Sequence, residues 1–351
     1  MDFKLITNIP QLMEIEADYK NLLERIEDRQ VFYEFAWLKN YILHYPDRYA
    51  GKDGNLRMVT GWLGKTLVLV CPLCMRKNTL SFICEEATDY NTILIDAALN
   101  KYSAMKDVAA YIKETVSFKK MVLSNFRYSD ILLNLYTVTN YNGGGYASFM
   151  KLYATAPYCN VKADSAKFVK KQVSDIRRRQ KLLLAEHEVC FKDSDVITES
   201  DLEFITGIKD ESFGDNIFTG KKSWEFFLHL SEEMKENIIV HRMYVDKKCA
   251  AIHLGFTDKE KVCYFIPAYD HAVKGAGLML LLHIIEKEAA DGKSVFDSLR
   301  GEESYKYTFC DRIASNFTLT VIPLTRLNKV RLFCYKAGKF VLGKLLLGGS
   351  V

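Results

Sequence analysis

The sequence predicts an α/β protein, α+β in its layering, built from two similar halves, because one order of elements is legible twice along the chain. In each half, amphipathic helices precede a run of short alternating strands joined by tight turns, and a strand, a loop, a helix and a further strand follow. A long cationic helix separates the two runs. Together these point to tandem domains with mixed, largely antiparallel sheets.

In the first half, residues 11–28 and 35–44 carry apolar side chains at helical spacing. Residues 56–62, 66–75 and 79–84 alternate as strands, with Gly64 and Lys65 at the first turn. A helix over 103–115, a strand over 121–123 and a helix over 130–136 complete this half. In the second half, residues 201–213 and 222–235 read as helices, and 238–245, 249–256 and 262–268 as a three-strand meander. Gly275 and Gly277 open a helix over 278–290, whose stripe of Leu278, Leu281, Leu282, Ile285 and Ala289 has helical spacing and which closes at Gly292. A strand over 294–299 follows. The expected organisation is a domain over 1–160, a connecting helix over 161–188, a second domain over 189–325 and a C-terminal helix over 326–351.

Composition bounds the class. With 351 residues, 49% of them hydrophobic and 26% charged, the chain can bury the cores of two ordinary domains. Only 6 prolines and 19 glycines leave no room for long linkers. A net charge of +4 is too mild to imply nucleic acid. The 9 cysteines show no paired framework, which fits a reducing cytoplasm. Cys71 and Cys74 form a CxxC without a second pair or a nearby histidine, inside an apolar strand-like run, so they read as core and no metal is expected. Neither a signal peptide nor an apolar run long enough to span a bilayer is legible, and a cytoplasmic protein is expected.

The charge pattern is more informative than the total. On the helix over 163–188, Lys167, Lys170, Lys171, Arg177, Arg178 and Lys181 fall within an arc of about 120°. Like charges at that spacing cost helix stability, so the face either meets an anionic ligand or is simply solvated. No acidic residue follows Asp311, whereas Arg312, Arg326, Lys329, Arg331, Lys336, Lys339 and Lys344 do. Leu327, Val330, Cys334, Ala337, Val341 and Leu345 make an apolar stripe there. That tail helix either docks on its own domain or lies on an anionic bilayer at the inner face of the membrane.

The run from Phe296 through Asp297, Ser298, Leu299, Arg300, Gly301, Glu302, Glu303, Ser304 and Tyr305 to Lys306 resembles the signature of the CelD-like acetyltransferases. These are tandem members of the GNAT acyltransferase superfamily, related to FemAB-type transferases and tied to polysaccharide biosynthesis. The resemblance extends over nearly the whole chain. Phe35 and Trp37 match an aromatic pair, Cys71 to Leu73 an apolar-Pro-Leu strand, Thr88 to Tyr90 a Ser/Thr-Asp-Tyr element, and Arg177 to Arg179 a basic helix. Ser298 departs from the usual aromatic, and Phe309 stands near where tryptophan is common.

The resemblance implies an acyl-CoA-dependent N-acyltransferase, with acetyl-CoA or another acyl-CoA as donor and no metal. The acceptor it implies is an amine on an amino sugar or a polysaccharide or cell-envelope precursor. Lys274, Gly275, Ala276, Gly277 and Leu278 would receive the donor pyrophosphate at a helix N-terminus, and the backbone of Phe265, Ile266 and Ala268 would polarise the thioester carbonyl. Asp297 or Glu302, with Glu303 beside them, would act as base or hold a cationic acceptor, and Tyr305 would either donate a proton to the thiolate or pack against the neighbouring strand. Arg300, Glu303 and Lys306 would bind the acceptor, joined by Lys170, Arg177 and Arg178 of the basic helix, or would form a structural ion-pair cluster instead. His253 and His283 read as packing residues. Two other readings remain open: an aminoacyl transferase using charged tRNA, and a non-catalytic scaffold for polysaccharide assembly.

Overall fold

The computed structural model describes residues 1–49, 55–127, 130–141, 145–161, 170–213, 221–258, 260–330 and 333–334. In chain order its strands are β1 (Asp2–Ile6), β2 (Met58–Leu63), β3 (Thr66–Cys71), β4 (Leu73–Arg76), β5 (Thr79–Phe82), β6 (Leu94–Ile95), β7 (Lys120–Arg127), β8 (Tyr146–Asn160), β9 (Val189–Ser194), β10 (Ile238–Val245), β11 (Lys248–Thr257), β12 (Lys261–Tyr269), β13 (Val295–Asp297) and β14 (Arg312–Pro323). The helices are α1 (Ile9–Glu14), α2 (Glu16–Leu23), α3 (Phe35–His44), α4 (Pro46–Tyr49), α5 (Lys101–Thr115), α6 (Asp130–Tyr141), α7 (Lys170–Glu186), α8 (Glu199–Phe213), α9 (Lys221–Glu233) and α10 (Ala276–Ala290). None of the described helices is long and apolar enough to cross a membrane.

Two sheets carry the fold, a small one ordered β1-β2-β3-β6 and a large one ordered β4-β5-β7-β14-β8-β13-β12-β11-β10-β9. Pro72 sets the step between them. Lacking an N–H, it cannot continue the ladder, so the strand expected over 66–75 divides into β3 in the small sheet and β4 in the large one. Likewise the helix expected over 11–28 is two helices, because Ile15 leaves helical angles with ψ near 6°. The meander β10–β12 forms as expected, and Asp246 and Lys247, both at positive φ, build its first hairpin turn.

The large sheet runs unbroken through both halves. β8 pairs with β13, through Phe296 opposite Cys159, and along its length with β14. β14 in turn pairs with β7, through Leu319 opposite Leu123. The boundary expected at residue 160 therefore lies at the end of a strand shared by both halves, and β14, expected with the second domain, completes the sheet of the first. Three clusters of buried side chains pack on this frame. One joins the halves through Trp37, Phe226, Phe256 and Tyr90; one packs α5 and α6 on β7 and β14; one packs α10 and α7 on β10–β13.

Candidate functional site

β12 and β13 run parallel for three pairs, Lys261–Val295, Val262–Phe296 and Cys263–Asp297, and then part. β12 continues to Tyr269, while the chain after Asp297 turns away. Its path is pinned to β8: the Ser298 hydroxyl donates to the Pro157 carbonyl at 2.6 Å and the Gly301 N–H to the Thr155 carbonyl at 2.9 Å. Gly301 sits at φ 137°, and a Cβ there would lie 2.1 Å from Glu303 Oε2, so only glycine makes this turn.

The opening holds a cavity of about 300 Å³, lined on one side by Tyr264, Phe265, Pro267, Ala268 and Tyr269 and on the other by Leu299, Arg300, Glu303, Tyr305 and Lys306. Asp89, from the first half, closes it. The Asp89 side chain is 12% exposed, and Arg300 Nε lies 3.2 Å from its Oδ1. Burial raises its pKa to about 6; Arg300 and Lys306 oppose that rise, and Asp297 adds to it. Lys306 is also buried. Its ammonium donates to the carbonyls of Arg300 at 2.8 Å and Leu299 at 3.4 Å and pairs with Glu303 at 3.1 Å.

A second cavity of about 300 Å³ lies beside it, lined by Arg179, Gly275, Leu278, Met279 and Tyr305 among others. Tyr305 is common to both, and burial raises the pKa of its hydroxyl. Gly275, at φ 84°, is the N-cap of α10 and offers no side-chain cap; the Ala276 N–H donates to the Val273 carbonyl at 3.1 Å, and no side chain caps the N–H groups of Gly277 and Leu278 that follow. The corresponding helix of the first half, α5, is closed: Asn100 Oδ1 accepts the Ser103 N–H at 2.9 Å, and Lys101 is paired with Glu27. Among the expected donor residues, Gly275 and Leu278 line the second cavity, Ala276 is buried, Gly277 lies against the Tyr269 ring, and Lys274 is exposed outside both cavities.

The remaining expected residues divide. Asp297 is 4% exposed and lines neither cavity. Tyr90 donates its hydroxyl to Asp297 Oδ1 at 2.8 Å, and the Leu299 N–H binds the same oxygen at 2.9 Å. Glu302 is exposed and lines neither cavity. On α7, Arg177 pairs with Glu286 of α10 at 2.7 Å and Arg178 with Asp175 at 3.7 Å; the side chain of Lys170 lies outside the described residues. The basic-helix residue that does reach a cavity is Arg179, outside the expected arc. Of the expected C-terminal helix, residues 326–330 and 333–334 are described and helical, and the rest lies outside the described residues.

The strand expected to polarise a carbonyl is differently engaged. Tyr264 and Phe265 bulge opposite Gly255, and the Phe265 N–H donates to His253 Nε2 at 3.2 Å. Asp270 N–H donates to the Ala250 carbonyl, which fixes the phase of the ladder, so Ile266 and Ala268 bond across to β11 as well. Pro267 has no N–H. Alternation leaves the Tyr269 N–H as the first on the open side. His253 in turn meets His241, Nδ1 to Nδ1 at 3.1 Å, and His241 Nε2 meets Glu288 at 3.2 Å. With His253 Nε2 accepting from Phe265, its proton is on Nδ1; His241 Nδ1 then accepts and its Nε2–H donates to Glu288, which serves these three contacts with both rings neutral. His283 stacks on Phe191 with ring centres 4.2 Å apart.

Asp89 is the residue that sequence reasoning passed over. It stood inside a recognised motif, Thr88 to Tyr90, but nothing local tells that the first half delivers it to the second half's cavity. Among the described residues, no group of three or more His, Cys, Asp or Glu side chains is placed to hold a metal ion.

Residues 170–307 match the family model described as an acetyltransferase (GNAT) domain. The whole chain is similar in fold to FemX, with 10% identity over 94% of this chain and 99% of that one and a TM-score of 0.58. It is similar too to L-PGS from Bacillus licheniformis, with 10% identity over 91% of this chain and 93% of that one and a TM-score of 0.56. A tandem GNAT protein from the clavulanic acid biosynthesis pathway aligns at 8% identity over 91% of this chain and 98% of that one, with a TM-score of 0.51. No curated protein matches the sequence. The chain therefore has a tandem GNAT fold, with its second half matching the GNAT acetyltransferase domain.

Proposed function

We propose that the protein is an acyl-CoA-dependent N-acyltransferase whose donor lies at the α10 N-terminus and whose acceptor amine lies against Asp89. The observation that carries this reading is the position of Tyr305, in the wall of both cavities. An anionic donor fits the cavity at Gly275: a helix N-terminus without a side-chain cap, Gly275 without a Cβ, and the Arg179 guanidinium close by. An amine fits the cavity beside Asp89, where a buried carboxylate with a pKa of about 6 faces the space between β12 and the 299–306 loop.

In the reaction, the amine nitrogen forms a bond to the thioester carbonyl carbon and the carbon–sulfur bond breaks. Asp89, ionised at neutral pH, accepts the proton the amine loses. The Tyr305 hydroxyl supplies a proton to the departing thiolate, and the Tyr269 N–H faces the developing oxyanion. Lys306 holds the loop by its carbonyls and sets where Arg300 and Glu303 stand.

The CelD-like resemblance supports an amino-sugar or envelope-precursor acceptor and a cytoplasmic protein. The exposed Leu327, Val330 and Phe333 beside Arg326 and Lys329 support a peripheral contact at the inner membrane face. Titration of the purified protein with acetyl-CoA and with coenzyme A, followed by calorimetry, tests the donor. Binding of both that an Arg179→Glu change weakens is expected. Binding of a charged tRNA in place of acetyl-CoA would transfer the chain to the aminoacyl-transferase reading that the FemAB-type resemblance keeps open. Binding of neither would leave a scaffold.

A further inference from the structure

The sheet of the first half has one buried face and one open face. On β5, β7 and β14, Leu80, Met121, Leu123, Leu319 and Val321 pack beneath α5 and α6, whereas Ser81, Val122, Thr318 and Thr320, between them, remain half-exposed. At one end this open face deepens into a cavity of about 670 Å³, more than twice the volume of either site already described. Phe149, Ile322 and Leu324 give it an apolar floor, Lys77, Lys119 and Lys120 rim it, and no carboxylate lines it.

The face leads to the acceptor site. Register places Lys120, Val122, Thr320, Phe149 and Lys151 on one side of the sheet. At the far end of β7 the buried Asn125 accepts a hydrogen bond from Arg300 Nη1 at 3.2 Å, and on β8 the exposed Tyr153, two residues beyond Lys151, lies under the Arg300 guanidinium at 5.8 Å. From Lys120 to Asn125 is about five residues of strand, roughly 17 Å at about 3.3 Å each. That end of the strand is where Arg300, the partner of Asp89, touches β7, and a cationic rim so far from it has no use for a small free amine.

We propose that this open face binds the distal part of the acceptor, and that the acceptor is an elongated molecule with a phosphate group roughly 17 Å or more from its reacting amine. Lysines act as mobile point charges and suit a phosphate, whereas planar recognition of a carboxylate favours arginine. The aromatic and aliphatic floor suits an extended, partly apolar spacer. The proposal rests on the transferase reading only in calling the amine the reacting group.

The test uses binding to the full chain, so that it does not depend on turnover. The probe is a long-chain ω-aminoalkyl phosphate whose extended length matches the span, compared with 2-aminoethyl phosphate and with the long ω-amino alcohol that lacks phosphate. The long phosphate is expected to bind about ten-fold or more tighter than either control. The triple change Lys77→Ala, Lys119→Ala, Lys120→Ala should abolish that advantage with an unchanged melting temperature. Equal affinities for the three probes, or a triple variant that binds as wild type does, would overturn the proposal. So would a variant that loses adhesion to phosphatidylglycerol vesicles but keeps the probe, since the lysines would then face a bilayer. The expected binding pattern without acetyl transfer to the probe would sink the transferase reading and leave the groove standing.

Discussion

Arg300 Nε lies 3.2 Å from Asp89 Oδ1, an ion pair that ties the second half's signature loop to a carboxylate delivered by the first. Neither half holds the site alone. Asp89 is positioned by its own backbone, since Asn316 of β14 donates to the Asp89 carbonyl at 2.8 Å, and β14 exists only as part of the shared sheet.

The raised pKa of Asp89 has two consequences of opposite kind. Asp89→Asn is expected to lower the transfer rate by about 10²–10⁴-fold, as loss of a general base does, and wild-type kcat/KM should show an acidic limb near pH 6, the pKa that burial gives this carboxylate. Stability should respond the other way. The folded state binds the proton more tightly than the unfolded chain, so this group's contribution is complete below about pH 4 and is lost as pH rises through about 6. The loss reaches about 3 kcal/mol. Denaturant melts of wild type and Asp89→Asn at pH 4.5 and 7.5 would read it: the wild type should lose more stability between the two pH values than the variant.

Asp297 should behave as a structural residue. Its carboxylate is buried and is held by Tyr90, over whose ring Arg127 lies at 4.7 Å. Tyr90→Phe leaves that carboxylate short of a donor and is expected to cost about 1–3 kcal/mol while turnover per folded molecule is kept. A rate loss of the size expected for Asp89→Asn, with no change in melting, would return Asp297 to the catalytic role its place in the signature implied.

Two of the three arginines of α7, Arg179 and Arg177, separate donor binding from surface charge. Arg179→Ala should raise the dissociation constant for coenzyme A about ten-fold, the loss of one charge-assisted contact. Arg177→Ala removes a pair whose partners are both about half exposed or more, so it should change stability by less than about 1 kcal/mol and binding hardly at all. Calorimetry on both variants checks this, and equal losses would mean that the whole helix face attracts the donor.

Legibility followed the range of the interactions. The meander β10–β12 and helix α10 were readable because alternation, turn residues and a helical stripe are local signals. β8 and β14 escaped notice. Residues 149–153 of β8 are exposed on both faces, so no alternation marks them, and β14 earns its place from partners 150 residues or more away in sequence. For the same reason Asp297, Arg300 and Lys306 looked like one cluster. They are adjacent in sequence, yet Asp297 turns to Tyr90 and Arg300 to Asp89. His253 gave no sign beyond a lone histidine in a strand.

His253 also supplies an acid-side switch in stability. The ring is fully buried between Tyr264, whose ring it stacks on at 4.5 Å, and His241, and it accepts the Phe265 N–H that closes the β12 bulge. Burial first, and then His241, holds its pKa well below the usual 6.5. The unfolded chain binds that proton more readily, so the stabilisation is complete above about pH 6.5 and is lost as pH falls below it. That slope opposes the one from Asp89, and variants resolve the two. His253→Gln keeps an acceptor for the Phe265 N–H but cannot titrate. Its melting temperature should change less than that of the wild type between pH 7.5 and pH 5.5, and at neutral pH the variant should retain donor binding. His253→Ala leaves the Phe265 N–H without a partner in a dry space and should cost about 1–3 kcal/mol at every pH. If His253→Gln loses stability on acidification as steeply as wild type does, the ring is not the group that titrates, and the neutral His253–His241–Glu288 chain is wrongly assigned.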